Sequence, residues 1–157
     1  MQRANDIIGR ITEIFLVMIL SAMALAVFLQ VIFRYLINLP LFWTEEFARY
    51  CLIWSSFLGA AVAMKRGEHI AVRIFMDRFP PAGRKALSAI ALLCVIGILV
   101  IILWGGIKLV FVAQAQISPA LRISMSIPYM AIPVGSGIMI LHAVALFLKE
   151  IFELRLS

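Results

Sequence analysis

Four long apolar runs divide this chain and limit what it can fold into. They cover residues 14–33, 47–64, 86–107 and 129–148. About 20 residues in a helix that rises about 1.5 Å per residue cross a hydrocarbon core roughly 30 Å thick. Because lipid offers no partners to backbone polar groups, each run is predicted to be a membrane-spanning α-helix.

The composition supports the same class. The 157 residues are 64% hydrophobic, with a mean hydropathy of +1.08, which is too apolar for a soluble globule of this size. The first run follows Arg3 and Arg10, as in a signal peptide, but it is too long for one and is predicted to be a mature helix. The connections are short, so we predict one transmembrane domain over residues 1–157, an all-α four-helix bundle.

The basic residues predict the orientation. Ten of the 14 Lys and Arg residues flank the spans on the side of both termini, and four flank the other side. The positive-inside rule therefore predicts cytoplasmic termini and a cytoplasmic middle loop, with loops 34–46 and 108–128 outside. Because these basic residues form no continuous patch, we expect contact with the lipid bilayer and no nucleic-acid binding despite the net charge of +6.

The middle loop has an amphipathic pattern between residues 68 and 79. Val72, Phe75 and Phe79 recur at helical spacing, whereas His69 and Arg73 take the opposite side. This pattern predicts a short helix lying in the membrane interface. An irregular loop packed on the bundle is the alternative, and neither interpretation provides a site of chemistry.

Small residues mark possible packing faces. In the second run Ser55, Gly59 and Ala63 recur every four residues, which predicts a stripe that another backbone can approach closely. The neighbour is either a helix of this chain or one of a partner. In the fourth run Gly135 follows Pro133, whose missing N–H is expected to weaken or kink the helix.

A charged cluster precedes the second run and contains Trp43, Glu45, Glu46 and Arg49. If the helix begins near Thr44, that residue is its N-cap and the carboxylates favour the positive end of the helix dipole. Arg49 is then within reach of either carboxylate. The cluster is therefore explained either by local helix chemistry or by contact with a partner subunit or an outer vestibule, because charges at a membrane edge are costly.

Signatures of enzymatic chemistry are missing from the sequence. It contains no phosphate-binding loop, no dinucleotide fingerprint and no cluster of metal ligands. His69 and His142 are not expected to lie at matching depth, as a bis-histidine haem requires. We predict no catalytic, substrate-binding or metal site and no cofactor in this chain.

Several short segments resemble the small permease subunit of tripartite ATP-independent periplasmic (TRAP) transporters. They occur in the same order and spacing as in that family and extend over roughly residues 14–148. The matching segments are QVIFRY at 30–35, WTEE at 43–46, RY at 49–50, FLGAA at 57–61, SPAL at 118–121, IPY at 127–129 and PVG at 133–135.

The resemblance implies a three-part importer. A periplasmic substrate-binding protein would contact the complex transiently, and a large membrane permease subunit would carry a substrate, commonly an organic acid, with a sodium gradient. The small subunit is then a scaffold for the large one. Arg73 stands where the family often has Asp, so no role of that acidic position is transferred here.

Two other classes of function remain as alternatives. A self-sufficient proton-coupled exporter would need an ionisable residue deep in the bundle, and Glu13 instead precedes the first run. A membrane anchor of a redox complex is the other alternative, and a haem-binding anchor would need paired histidines.

Overall fold

The computed structural model describes residues 2–66 and 81–155. Within these ranges, four long helices include stretches that are long and apolar enough to span a membrane, which confirms the predicted all-α four-helix membrane fold. The predicted interfacial helix at 68–79 lies outside the described residues, and the cytoplasmic side of the termini stays a prediction. The helices are α1 (Gln2–Tyr35), α2 (Phe42–Arg66), α3 (Pro81–Ala113), the short α4 (Ser126–Tyr129) and α5 (Ala131–Arg155).

The turn between α1 and α2 sets where α2 begins. Asn38 adopts a left-handed conformation with φ of 57°, which Asn tolerates better than most residues, and Pro40 follows it. Helix α2 then begins at Phe42, so the predicted N-cap at Thr44 is wrong. The Thr44 hydroxyl lies inside the first turn and donates to the Leu41 carbonyl at 2.6 Å.

Helices α2 and α5 form the centre of the molecule. Helix α1 packs mainly on α2 and α3 packs on α5, while α1 and α3 do not touch each other in the described part of the chain. A third of each central span is buried, against 6% in α1 and 11% in α3. The two flanking helices therefore leave most of their apolar surface for lipid or another protein. The core cluster consists of Ala61, Met64, Leu99, Met139 and Ala143.

Two glycines allow α5 to approach both of its neighbours. A Cβ at Gly135 would lie 2.6 Å from the Cβ of Phe57 on α2 and 3.3 Å from its carbonyl carbon. A Cβ at Gly106 of α3 would lie 2.7 Å from the Ile132 Cγ2 of α5. Such distances are too short for real side chains, so these contacts require glycine.

The predicted small-residue stripe of α2 behaves differently. Ser55 is buried, but Ala63 is exposed, and no described residue of another helix lies within 4 Å of the position of a Cβ at Gly59. From Gly59 to Ala63 the stripe therefore packs against no other helix described here. Contact with a partner remains the interpretation open to it.

The predicted weakness at Pro133 corresponds to the break between α4 and α5. Pro133 has no N–H to donate to the carbonyl of Tyr129, and the two helices are separated at Met130. The Val134 N–H resumes the helical pattern by donating to the Met130 carbonyl at 3.1 Å.

Replacement of Gly135 by Ala should destabilise the isolated chain, whereas Gly59→Ala should not. Both changes improve helix propensity by about 1 kcal/mol, so their difference isolates the contact with Phe57. We expect overpacking to cost Gly135→Ala about 1–3 kcal/mol relative to Gly59→Ala. Thermal unfolding in detergent measures this difference, and equal stability of the two variants would contradict the close α2–α5 contact.

Candidate functional site

Glu46 lies in the first turns of α2 and is nearly buried, with 7% of its surface exposed. Its Oε1 accepts a hydrogen bond from the hydroxyl of Tyr50, one helical turn further along. Its Oε2 accepts from the backbone N–H groups of Ala120 at 2.8 Å and Leu121 at 3.1 Å. All three partners donate, as a carboxylate requires, and two of them come from a distant part of the chain.

The segment that Glu46 contacts is the loop between α3 and α4 (residues 114–125), which we call the outer loop because the positive-inside rule predicts that it lies outside the membrane. An antiparallel bridge between Ile117 and Ser124 folds it back on itself. The Ser118 N–H donates to the Ile123 carbonyl at 2.9 Å. Near its tip Arg122 adopts a left-handed conformation with φ of 54°. The tip presents two successive backbone N–H groups, an arrangement that suits an anion, and the Glu46 carboxylate occupies it.

The two acidic residues of the predicted cluster, Glu45 and Glu46, have different partners in the structure. Glu45 forms an exposed ion pair with Arg49 at 3.4 Å, which is the local helix pairing expected from their spacing. Exposed pairs of this type contribute little to stability. Glu46 instead joins α2 to the outer loop. Trp43 is partly exposed and packs edge-on against Phe47, with ring centroids 6.4 Å apart.

The contact of Glu46 with the outer loop was missed by sequence reasoning. The sequence did place loops 34–46 and 108–128 on one side of the membrane, and the hydrogen bonds from Ala120 and Leu121 to Glu46 agree with this. Tyr50 was a further signal, because it lies one helical turn after Glu46 and its hydroxyl can donate a hydrogen bond to that carboxylate. Helical spacing alone placed Arg49 within reach of both Glu45 and Glu46, so it did not show which of the two has another partner.

A cavity of about 410 Å³ lies between the start of α2 and the outer loop. Its lining includes Pro119, Met125 and Tyr129 together with the ion-paired Glu45 and Arg49. Within the described residues no three His, Cys, Asp or Glu side chains are grouped so that they could hold a metal ion. The charged side chains of this cavity contact each other, Tyr50 or the backbone, so the arrangement can hold a protein surface in a fixed shape.

A second polar junction joins the opposite ends of the helices. His142 of α5 is fully buried, and its Nδ1 hydrogen-bonds the Asn5 side chain of α1. Its Nε2 has no hydrogen-bond partner among the described residues. The Lys65 ammonium of α2 lies 3.8 Å from the Asp6 carboxylate of α1. The start of α1 is therefore tied by polar contacts to both central helices.

Replacement of Glu46 by Gln should release the outer loop, whereas Glu45→Gln should leave it in place. A Gln retains one acceptor oxygen and places an amide N–H₂ against donors, so at least one side of the Glu46 contact is lost. From the loss of one charge-assisted hydrogen bond we expect about tenfold faster hydrogen exchange of the Ala120 and Leu121 amides. Exchange followed by mass spectrometry measures this, and unchanged protection in Glu46→Gln would contradict the assignment.

Comparison with known proteins identifies relatives of this chain. The family model for the DctQ component of tripartite ATP-independent periplasmic transporters matches residues 23–153. A Haemophilus influenzae protein bearing the name of a TRAP transporter small permease is 37% identical over 90 residues, which are 57% of this chain and 56% of that protein. The sialic acid TRAP transporter small permease protein SiaQ of Vibrio cholerae is 33% identical over 101 residues, which are 62% of this chain and 58% of SiaQ.

A longer relative contains a similar segment within a larger protein. The isethionate TRAP transporter permease protein DctMQ of Oleidesulfovibrio alaskensis is 36% identical over 99 residues, which are 62% of this chain and 16% of that protein. The matched segments thus span little more than half of the two shorter relatives and about a sixth of the longer one. The family match itself covers most of the chain and includes the end of α1, all of α2 and the outer loop. This chain therefore belongs to the DctQ family of TRAP transporter components and is a multi-pass inner-membrane transporter subunit, not an enzyme.

Proposed function

We propose that this chain is the accessory subunit that braces the large permease subunit of a TRAP importer. The importer would be driven by sodium, would depend on a periplasmic substrate-binding protein and would carry organic acids. The observation that carries the proposal is the family match over residues 23–153. The relative DctMQ supports a large-subunit partner, because there a segment similar to this chain is part of a much longer permease protein.

The distribution of buried polar groups supports a bracing role. Of the charged and histidine side chains that the structure describes, Glu46 and His142 are buried, and each contacts another part of this chain. The buried hydroxyls of Thr12 and Ser136 donate to backbone carbonyls of their own helices, and that of Thr44 donates to the carbonyl of the residue just before α2. The contacts of Glu46 and His142 tie the outer loop to α2 and α5 to α1, which is the behaviour expected of a rigid support.

The unburied apolar surface supports a protein partner within the membrane. Helices α1 and α3 bury little of their spans against this chain, and α2 keeps an exposed face of small residues around Gly59. Small residues let two membrane helices come close, which favours association by packing where the hydrophobic effect is weak. The large subunit could therefore contact this chain over an extended surface.

Reconstitution of the transporter with and without this chain tests the proposed function. We expect the large subunit and the binding protein in liposomes to import the binding protein's own ligand along a sodium gradient only when this chain is present. A tagged form of this chain should also capture the large subunit from detergent extracts. Full sodium-driven uptake without this chain would overturn the accessory role, and uptake that ignores the sodium gradient would overturn the proposed driving force.

A pair of variants tests the exposed face of α2. Gly59→Leu should lower capture of the large subunit, because a bulky side chain prevents the close approach of another helix. Gly97→Leu on α3 is the matched control, since among the described residues only the neighbouring backbone of the same helix comes within 4 Å of a Cβ at either glycine. If Gly59→Leu captures as much of the large subunit as Gly97→Leu does, the contact lies elsewhere on this chain.

A further inference from the structure

One face of α1 changes from charged to apolar along its length. Asp6, Arg10 and Ile14 follow one another at four-residue spacing, and Val17 and Met18 continue the same face. Eight residues of helix separate Arg10 from Met18, which corresponds to about 12 Å along the axis. The charged end lies at the same end of the molecule as Lys65, the side that the positive-inside rule predicts to be cytoplasmic.

Two adjoining cavities follow this face. The first, of about 530 Å³, is bounded by Asp6, Ile7 and Arg10 of α1 and by Lys65 of α2. The second, of about 390 Å³, shares Arg10 with the first. Its other lining residues are Glu13, Ile14, Val17 and Met18. Together they mark a shallow, open groove, whose charged head lies between α1 and Lys65 of α2 and whose mostly apolar tail runs along α1 alone.

Lys65 is positioned at the head of the groove by its contacts with α1. A Cβ at Gly9 would lie 2.6 Å from the Lys65 Cε, so the lysine side chain crosses α1 where a glycine leaves room for it. Its ammonium then lies 3.8 Å from the Asp6 carboxylate. At this distance the pair leaves donor capacity on the ammonium for a further acceptor.

The charges around the groove are of both signs. Arg10 and Lys65 are the cations, and Asp6 and Glu13 are the carboxylates. Glu13 already has an interaction within this chain. A ligand that matches this set carries a phosphate for the two cations, an ammonium for a carboxylate, and a hydrocarbon chain for the tail.

We propose that this groove binds a phospholipid of the ethanolamine type. Its phosphate lies between Arg10 and Lys65, its ammonium lies near Asp6, and one acyl chain follows α1 past Ile14 to Met18. The head group thereby lies where the start of α1 meets the end of α2, and the acyl chain lies along the exposed face of α1. This inference does not depend on the transport function proposed above.

Native mass spectrometry of the full-length chain in detergent, titrated with phosphatidylethanolamine, tests the site. Arg10→Gln should bind the lipid about tenfold more weakly, as expected from loss of one charge-assisted contact to phosphate. Arg34→Gln at the opposite end of α1 removes the same charge from the same helix and should bind like the wild type. Val17→Trp should also weaken binding, because it fills the apolar tail without changing a charge.

Three results would overturn the proposal. One is equal lipid binding by the wild type, Arg10→Gln and Val17→Trp, with thermal unfolding showing that all are folded. Another is binding of inorganic phosphate or glycerophosphoethanolamine as tight as that of the lipid, which would mean that the acyl chain contributes nothing. The third is a cross-link from position 17 to the large subunit, and none to lipid, when the two proteins are expressed together.

Discussion

The contact between the Glu46 carboxylate and the outer loop is the interaction on which the arrangement of this loop and the start of α2 depends. A nearly buried carboxylate is costly unless donors surround it, and here Tyr50 and two successive amides of the loop supply them. Without this contact the loop would be held by its own internal hydrogen bonds and by the contact of the Tyr50 hydroxyl with the Met125 sulfur. The loop also connects α3 to α4, so the same carboxylate helps to fix how the second pair of spans meets the first.

Inside the membrane the helices are held by shape rather than by charge. Helix α5 packs closely on α2 at Gly135, and α3 packs closely on α5 at Gly106. Both contacts are possible because glycine has no side chain. In lipid the hydrophobic effect does not drive helices together, so such close contacts matter more than in a soluble bundle. The flanking helices α1 and α3 are joined through the central pair and not to each other in the described residues. This open arrangement suits a subunit that presents broad apolar surfaces to a larger membrane partner.

Some features of the site could be predicted from sequence and others could not, for identifiable physical reasons. The pairing of Glu45 with Arg49 follows from helical spacing, and it forms as expected. The role of Glu46 depends on the backbone of residues more than 70 positions away, which no local spacing rule contains. The stripe at Gly59 and the glycine at Gly135 look alike in sequence. Only the second contacts another described helix, because the direction a small residue faces depends on how its helix is rotated in the assembled bundle.

The sequence by itself determined the class of this protein, the number of spans and the side shared by the two loops, because apolar length and charge distribution are properties of the chain. It also carried the family resemblance that the comparisons confirmed. The tertiary structure decided which acidic residue is structural, which glycines are contacts and which face of α1 forms a groove. Each of these depends on distances between helices that are far apart in sequence, and such distances are set only when the spans pack together.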